Sequence, residues 1–373
     1  MVSYSEREEL RHVGLSLGFA RIGFTDATTL SHDRHELQEW LTRGYAAEMH
    51  YMVRDGLART EPQAFLPGAR SVIVFAVGLG RADPQRQNAP IAHYGCRPDY
   101  HVVVHAALER FVEVLRSMVG PTLLVRQSVD SVPLSERGLA AKAGVAFIGK
   151  STMAIVPGLG SHVMLAALVT NVAIDPDEPL KPRCGSCRQC LQACPTAAFP
   201  RPYQVDSRHC LAYLTIEHAK EIPLSLRPSL GQRVFGCDLC QAACPFNRGR
   251  TPAPLFPGLE PRSDLLCQTP PLAWLTLTAR QHKRLVRQTP LARFYRHQWA
   301  RNTALALANA GNSDAIPILA DLLGSHPEVL VRQHVAWALG QLAPGHALLR
   351  QSAQHDPADV VRSEAQQAIA ATR

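Results

Sequence analysis

The chain has no long hydrophobic run. None of its apolar stretches approaches the roughly 20 residues that a membrane-spanning helix needs, and 19% of its 373 residues are charged. Its opening residues, MVSYSEREELRHVG, are polar and charged, unlike a secretory signal peptide. We therefore expect a cytoplasmic protein with no membrane partner.

Several common catalytic motifs are also missing or incomplete. Residues 71–77 form a strand-like run followed by Gly78-Leu-Gly80, but the third glycine of a dinucleotide-binding fingerprint is absent. Residues 144–151 have the letters of a P-loop, yet their apolar interior favours a strand or a turn over a phosphate cradle. There is no HExxH run. Nucleotide hydrolysis and histidine-bound zinc are therefore not expected.

The length of the chain and the changes in residue pattern along it predict a multidomain α+β protein. Residues 1–175 alternate apolar strands with amphipathic helices, which predicts an α/β domain. Residues 176–260 hold eight of the ten cysteines, and residues 261–373 are helical in character and rich in Ala and Leu. The net charge of +8 suits a polyanionic partner such as nucleic acid, although many basic proteins bind none.

Cysteine is present in a specific pattern. The run Cys184-x2-Cys187-x2-Cys190-x3-Cys194-Pro is the bacterial four-iron run. Its tail recurs as Cys237-x2-Cys240-x3-Cys244-Pro, and Cys210 supplies the ligand that this second run lacks. Zinc is the alternative, but three cysteines in overlapping CxxC steps suit a tetrahedral zinc site poorly. The spacing therefore predicts a bacterial-ferredoxin-like module over residues 176–260 that transfers electrons one at a time.

The two runs predict ligand sets that exchange their last cysteines, because a fourth cysteine followed by proline reaches the other cluster. Cluster one takes Cys184, Cys187, Cys190 and Cys244. Cluster two takes Cys194, Cys210, Cys237 and Cys240. Crossed ligands predict that the two clusters lie close together.

The last part of the chain carries a repeat. Residues 299–308, 331–340 and 361–370 are similar helical phrases that recur at about 30 residues, as in HEAT-like hairpins. Basic residues at and before the first phrase could follow a phosphate backbone, although a solvated basic face is the alternative. They include Arg280, Lys283, Arg284, Arg293, Arg296 and Arg301.

Three further residues stand out individually. Asp130 follows a strand-like run at residues 122–126, and a partly desolvated carboxyl group at a strand end can deliver a proton. A helix cap or turn is the other interpretation of this residue. Cys96 lies in a polar loop and is either a cofactor-contacting thiol or a buried one. Cys267 lies outside the cluster pattern and is expected to be a packing residue.

The motifs together resemble the epoxyqueuosine reductase family, over nearly the whole chain. The resemblance is most specific at residues 213–217 (YLTIE) and 235–247 (FGCDLCQAACPFN), which a generic ferredoxin does not contain. It extends to residues 94–101 (YGCRPDYH), 130–137 (DSVPLSER) and 147–150 (FIGK), and to Arg301-Asn302.

This resemblance implies an enzyme that reduces epoxyqueuosine to queuosine in the anticodon loop of tRNA, the last step of queuosine synthesis. It implies cob(II)alamin in the first domain, two [4Fe–4S] clusters beside it, and tRNA on the helical repeats. Asp130 matches the family's proton donor. The cobalamin contacts implied are Cys96, Asp130, Arg137 and Lys150, and the tRNA contacts are the basic residues above together with Asn302.

Further expectations come from the same resemblance. The nearest run to Asp-x-His-x-x-Gly, residues 33–38, ends in glutamine, so base-off cobalamin without a protein histidine ligand is expected. Phe147 and Ser151 stand where the family is expected to have Trp and Asn, and no role is carried onto either. An external low-potential donor supplies the electrons to a monomeric enzyme.

Two other classes of protein share parts of the pattern. One is a cobalamin and iron–sulfur reductase that acts on a small molecule, such as a reductive dehalogenase. Such an enzyme has no use for a basic helical tail and usually carries an export signal. The other is a non-enzymatic helical scaffold with structural clusters, against which Asp130 and the large first domain argue.

Overall fold

The computed structural model describes residues 2–80, 89–248, 254–262 and 269–370. The chain forms two compact units, each built from separate segments. The first unit comprises residues 1–84, 97–208 and 239–260, and the second comprises residues 85–96, 209–238 and 261–373. The predicted boundary after residue 260 coincides with a change of unit, whereas residues 176–260 are divided between both. Cys267 lies outside the described residues.

The first unit contains all six strands of the described residues and several helices, numbered here along the whole chain. They are α1 Tyr4–Ser16, β1 Arg21–Asp26, α2 Ser31–Thr42, α3 His50–Arg54, α4 Pro62–Phe65, β2 Ser71–Gly78, α5 Tyr100–Val119, β3 Val125–Ser128, α6 Glu136–Lys142, β4 Phe147–Ile148, β5 Ala154–Ile155, β6 Val163–Thr170, α7 Gln189–Gln192 and α9 Leu239–Ala242.

The central sheet of this unit has the strand order β1-β2-β6-β3, and each neighbouring pair is antiparallel. All eight residues of β2 are buried, which explains its continuous apolar run, because a strand covered on both faces does not alternate. The predicted strand at residues 122–126 is observed three residues later, as β3. Its end at Ser128 brings the chain to Asp130.

Helices cover both faces of the sheet. On one face, Leu139 of α6 packs into a core with Val74 of β2 and Val169 of β6. On the other face, the ring of Phe75 makes an edge-to-face contact with Phe111 of α5, with their centroids 5.0 Å apart. The sheet is thereby fixed between α5 and α6, the two helices that flank β3 along the chain.

The segment with P-loop letters forms a small hairpin. Helix α6 ends at Lys142, and Gly144 follows with φ of +67°, a conformation that glycine adopts without strain. Strands β4 and β5 then pair antiparallel, with Phe147 opposite Ile155. This hairpin agrees with the prediction that these residues do not cradle a phosphate.

The second unit is helical. Its α-helices are α8 Leu211–Ile216, α10 Pro271–Trp274, α11 Ala279–Val286, α12 Arg296–Asn309, α13 Ile316–Ser325, α14 Val329–Leu342, α15 Ala347–His355 and α16 Asp359–Ala370. The three predicted helical phrases lie in α12, α14 and α16, and α13 is the partner helix between the first two. Within the described residues, no helix has the length and apolarity needed to cross a membrane.

The repeats stack through their inner helices and through buried ion pairs. Helix α14 packs against both α12 and α16, so most of its residues are buried. Arg227 makes two hydrogen bonds to Glu364 of α16, at 2.7 and 3.0 Å, and Arg332 makes two to Asp356, at 2.9 and 3.1 Å. Each guanidinium is thereby paired away from water, as buried charges must be.

Candidate active site

Asp130 lies in the loop between β3 and α6 with an unusual backbone conformation. Its φ is +59°, in the left-handed region that L-residues other than Asp and Asn rarely adopt. Its side chain is 55% exposed. Backbone strain of this kind is typical of functional positions, and here it accompanies an accessible carboxylate.

Two aromatic side chains from the start of α5 meet Asp130. The Asp99 carboxylate caps α5 by accepting a hydrogen bond from the backbone N–H of His101 at 3.0 Å. The buried Tyr100 then donates its hydroxyl to Asp130 Oδ2 at 2.6 Å. The Nδ1 atom of His101 lies 2.7 Å from Asp99 Oδ1, while its Nε2 atom lies 3.8 Å from Asp130 Oδ2. The contact with Asp99 places a proton on Nδ1.

Glu136, the first residue of α6, reaches back to the Asp130 loop. Its Oε1 atom accepts hydrogen bonds from the Ser128 hydroxyl at 2.6 Å and from the Asp130 backbone N–H at 2.9 Å. Burial raises the pKa of Glu136 to about 7. The nearby charge of Asp130 also raises this pKa, whereas the hydrogen bonds from Ser128 and the Asp130 N–H lower it. A protonatable group therefore lies directly beneath the Asp130 loop.

Arg137 and Asp33 support the same helix from the other side. Burial lowers the pKa of the Arg137 guanidinium, while the charges of Asp130, Asp33 and Glu136 oppose that shift. Arg137 donates to the carbonyl oxygen of Thr152 at 2.8 Å. Asp33 lies so close to Gly138 that any side chain there would collide with its carboxylate. Helix α2, which contains the run at residues 33–38, thus lies close against α6.

The four thiols predicted for cluster one lie together in the first unit. Burial, followed by the charge of Cys184, raises the pKa of Cys190. Burial also raises the pKa of Cys244, as do the charges of Cys190, Cys184 and Cys187. Cys184 and Cys244 also pack in one apolar cluster, so the four cysteines are neighbours. A four-iron cluster fits this set, since its irons bind the thiolates that otherwise repel one another.

These thiols have apolar neighbours, and the loop that carries two of them is held by hydrogen bonds. Cys244 packs with Phe147 and Ile155 of the β4–β5 hairpin. The Lys150 ammonium donates to the carbonyl oxygens of Gly185 and Cys187, at 2.6 and 2.9 Å. Lys150 therefore fixes the loop of cluster one, and its predicted contact with cobalamin stays a prediction.

Asn247 holds the chain after the second cysteine run. Its amide nitrogen donates to the Ser161 hydroxyl at 2.9 Å and to the Gln241 carbonyl at 2.7 Å, and its Oδ1 accepts from the Ser161 backbone N–H at 2.7 Å. A side chain on Gly160 would collide with this Asn247 oxygen. The FGCDLCQAACPFN run thus ends in a residue that joins Cys244 to the loop before β6.

The cysteines predicted for cluster two lie in both parts of the chain. Cys194 and Cys240 belong to the first unit, and Cys210 and Cys237 to the second. The sulfur of Cys194 accepts a hydrogen bond from the backbone N–H of Ala198 at 3.4 Å. The ligand set of cluster two stays a prediction from the spacing.

Cys96 is buried, with 3% of its surface exposed, in an apolar cluster of the second unit that includes Phe235 and Trp274. It is disulfide-bonded, whereas the seven cysteines of the two runs and Cys210 are free thiols. The burial matches the alternative of a buried residue, although its sulfur is bonded and is not a free thiol, and a contact with cobalamin stays a prediction.

The basic residues of the second unit fall into two groups. Five of the predicted tRNA contacts are exposed on α11, at the start of α12 and between them: Arg280, Lys283, Arg284, Arg293 and Arg296. We call these five the basic surface. The prediction is wrong for Arg301 and Asn302, which are fully buried. Arg301 donates to carbonyl oxygens of Leu214, His218 and Lys220, and Asn302 to those of Thr215 and Val234.

Tyr100, His101 and Glu136 were not assigned a role from the sequence, although all three lie in runs that carry the family resemblance. The only signal was their presence in residues 94–101 and 130–137. Nothing in the spacing of these two runs indicates that the start of α5 meets the end of β3, because that contact depends on how β3 joins the edge of the sheet.

Comparisons with known proteins define the class first. A family model described as a 4Fe-4S double cluster binding domain matches residues 183–247, and a model of HEAT repeats matches residues 298–370. The chain is thus a double-cluster iron–sulfur protein with a C-terminal helical repeat, and it presents a carboxylate on a strained loop.

A family model described as epoxyqueuosine reductase QueG matches residues 59–131, which include Asp130. The epoxyqueuosine reductase of Pseudomonas aeruginosa is 36% identical over 343 residues, which cover 89% of this chain and 93% of that protein. This chain belongs to the epoxyqueuosine reductase family.

Solved structures agree over the full length. An epoxyqueuosine reductase bound to a tRNA-Tyr stem loop modified with epoxyqueuosine is 28% identical, with a TM-score of 0.88 and 98% of each chain covered. The enzyme from Bacillus subtilis, also 28% identical, has a TM-score of 0.86 over 98% of this chain and 99% of that one. In that structure the loop carrying its catalytic aspartate is swung out of the active site.

Proposed function

We propose that this chain reduces epoxyqueuosine to queuosine in tRNA, with two [4Fe–4S] clusters and cobalamin as cofactors and Asp130 as proton donor. Membership of the family supports the reaction. The observation that carries the role of Asp130 is its exposed carboxylate on a left-handed loop, held by the Tyr100 hydroxyl at 2.6 Å.

The chain's residues fit the cofactors in two respects. The neighbouring thiols of Cys184, Cys187, Cys190 and Cys244 suit one cluster. The buried Nε2 atom of His101 has no hydrogen-bond partner among the described residues, as expected where a bound group completes a site. When bound, cobalamin supplies a nucleophilic metal centre for the epoxide, and the clusters supply its electrons singly.

The reaction sets the tasks of the protein. Removing the epoxide oxygen consumes two electrons and two protons, forms a carbon–carbon double bond and releases water. Asp130 donates a proton to the departing oxygen, since its carboxyl group is accessible and general acids must reach the reacting atom. Tyr100 keeps one Asp130 oxygen fixed and thereby orients the carboxyl group. Because the corresponding loop swings out in the Bacillus subtilis relative, holding Asp130 inward is a further task.

RNA recognition falls to the basic surface of the second unit. The modified base belongs to the anticodon loop, where bases are single-stranded and can be splayed into a pocket while cations hold the phosphates. The exposed Tyr295, between Arg293 and Arg296, offers a ring on which a base can stack. Since tRNA is its substrate, the enzyme works in the cytoplasm.

The two alternative classes are not favoured. A small-molecule reductase would have no use for the helical repeats. The similarity to the epoxyqueuosine reductase of Pseudomonas aeruginosa covers 93% of that enzyme, so it is not confined to the part that carries the clusters. A scaffold with structural clusters would need no accessible carboxylate on a strained loop. Both alternatives predict that epoxyqueuosine in tRNA is left unchanged.

The test uses anaerobically purified protein loaded with cobalamin and a chemical reductant. Visible spectra report the clusters and the cobalamin, and mass analysis of digested tRNA reports whether epoxyqueuosine loses an oxygen atom. We expect full conversion by the wild type and none by Asp130→Asn with unchanged spectra. Conversion by the Asn variant would remove Asp130 from the mechanism, and no conversion by the loaded wild type would overturn the proposed function.

A further inference from the structure

Glu136 contacts the Asp130 loop at two points that matter for its shape. Its Oε1 atom binds the Ser128 hydroxyl at 2.6 Å and the Asp130 N–H at 2.9 Å. Ser128 is the last residue of β3 and is fully buried, and Glu136 is the first residue of α6. One carboxylate oxygen thus joins the end of a strand, the start of a helix and the strained residue between them.

We propose that Glu136 is a positioning residue that holds Asp130 in the left-handed conformation from which its carboxyl group acts. This inference rests on the proposed function and adds a residue to it. A left-handed backbone at a non-glycine residue persists only where the surroundings determine it. The bond to the Asp130 N–H is a direct restraint on that backbone, and the bond to Ser128 fixes the restraining oxygen.

The geometry assigns different parts of Asp130 to different partners. Glu136 holds the backbone, whereas Tyr100 holds the carboxylate at Oδ2. Losing Glu136 would leave the side-chain contact to Tyr100 but free the loop to relax toward an ordinary conformation. The carboxyl group would then be displaced, and displacements of about 1 Å can lower a rate by on the order of 100-fold.

A competing role for Glu136 is proton supply, since its pKa is raised to about 7 by burial. The charged and titratable groups that face it are Asp130, His101 and the neighbouring Arg137. The two roles differ in what they need from the side chain. Positioning needs only an oxygen that accepts two hydrogen bonds, which glutamine also has, whereas proton supply needs an ionisable group.

The experiment compares Glu136→Gln with Glu136→Ala in the full chain loaded with both cofactors. Single-turnover rates on tRNA carrying epoxyqueuosine are measured at saturating tRNA, together with KM. Hydrogen exchange at the Asp130 amide gives a readout that does not depend on activity. Glu113→Ala, an exposed position on α5, is the matched control, and Ser128→Ala weakens the same contact without removing Glu136.

We expect Glu136→Gln to stay within about three-fold of the wild-type rate and Glu136→Ala to lose on the order of 100-fold with unchanged KM. The Asp130 amide should exchange faster in Glu136→Ala and Ser128→Ala, but not in Glu136→Gln. If Glu136→Ala fails to fold, Ser128→Ala is used instead. In that variant we expect faster hydrogen exchange at the Asp130 amide and a lower single-turnover rate.

Three results would overturn the positioning role. One is a Glu136→Ala rate near that of the wild type. The second is an equal loss in both Glu136 variants, which would assign proton supply instead. The third is unchanged exchange at Asp130 in the Ala variants. The proposed function is judged separately, because the wild type and Asp130→Asn are measured in parallel. An inactive wild-type enzyme would overturn the proposed function. An active wild-type enzyme together with an active Glu136→Ala variant would overturn only the positioning role of Glu136.

Discussion

Tyr100 and Asp130 lie 30 residues apart in the chain, yet the Tyr100 hydroxyl donates to the Asp130 carboxylate over 2.6 Å. The contact joins the start of α5 to the loop after β3. Asp99 caps α5 and so sets where Tyr100 lies, while the end of β3 sets where Asp130 lies. The proton donor is therefore fixed by two separate elements of the first unit.

Tyr100→Phe should lower the rate of epoxide reduction about ten-fold, because a hydrogen bond to a charged group contributes about 1.5–3 kcal/mol and here orients the carboxylate. KM for tRNA should not change, since Tyr100 is buried. Single-turnover kinetics under anaerobic conditions measure both quantities. Tyr4→Phe, at an exposed position on α1, is the control. An undiminished rate in Tyr100→Phe would show that Asp130 needs no such support.

Much of this architecture could be predicted from sequence because it depends on local spacing. The cysteine gaps predicted a double-cluster module, and the recurring helical phrases predicted the repeats, which the family models at residues 183–247 and 298–370 confirm. Both features repeat a short pattern whose geometry is fixed by a few neighbouring residues. Asp130 could be predicted because the sequence itself shows an aspartate that follows a strand-like apolar run.

Other features depended on tertiary contacts and could not be predicted. Arg301 was expected to bind RNA because basic residues are usually exposed, yet its guanidinium donates to carbonyl oxygens near the end of α8 and is fully buried. Burial lowers its pKa to about 9. Nothing in the sequence around Arg301 distinguishes it from Arg296, which is exposed one turn earlier. Which face of α12 meets α8 is decided by the packing of the second unit.

Cys244→Ala should remove about half of the iron, because the predicted ligand set leaves cluster one without its fourth thiolate while cluster two keeps all of its own. Iron analysis and visible absorbance of anaerobic protein measure this loss. The matched control is Cys96→Ala, which changes a buried cysteine outside the two runs and should keep all of the iron. Full iron content in Cys244→Ala would show that Cys244 is not a required ligand of either cluster.

Reversing charge on the basic surface should weaken tRNA binding and its dependence on salt. The double variant Lys283→Glu, Arg284→Glu removes two cations from α11, so the slope of log affinity against log salt should fall by roughly two. Binding titrations at several salt concentrations give the slope. The double variant Arg54→Glu, Arg350→Glu, at exposed positions on α3 and α15, makes the same change in net charge outside this surface. Equal effects in both proteins would mean that only net charge matters.

Breaking the buried ion pair of the repeats should destabilise the second unit. In Glu364→Gln the Arg227 guanidinium keeps its position but loses its counter-charge, and removing one partner of such a pair typically costs about 3–5 kcal/mol. Thermal unfolding followed by circular dichroism measures the effect. Asp359→Asn removes an 88% exposed partner of Arg362 and should change stability by less than about 1 kcal/mol. A small shift in Glu364→Gln would show that water reaches Arg227.

His334 should make the stability of the repeats depend on pH. It is fully buried, its Nε2 accepts a hydrogen bond from the Ile222 N–H at 3.0 Å, and its Nδ1 lies 2.7 Å from the Leu330 carbonyl oxygen. Burial lowers its pKa well below 6.5, and the charges of Arg227 and Arg301 add to this.

The unfolded chain therefore binds a proton below pH 6.5 that the folded chain excludes. The stability contributed by neutral His334 is present above pH 6.5 and is lost as the pH falls toward the lowered pKa. We expect the unfolding midpoint of the wild type to fall between pH 7 and pH 5 more steeply than that of His334→Gln, whose amide can replace both hydrogen bonds without titrating. His355, in the last turn of α15, gives the control variant His355→Gln, which should follow the wild type. Parallel curves for the wild type and His334→Gln would mean that the folded state also takes up the proton, and that the bond to Ile222 is not what keeps His334 neutral.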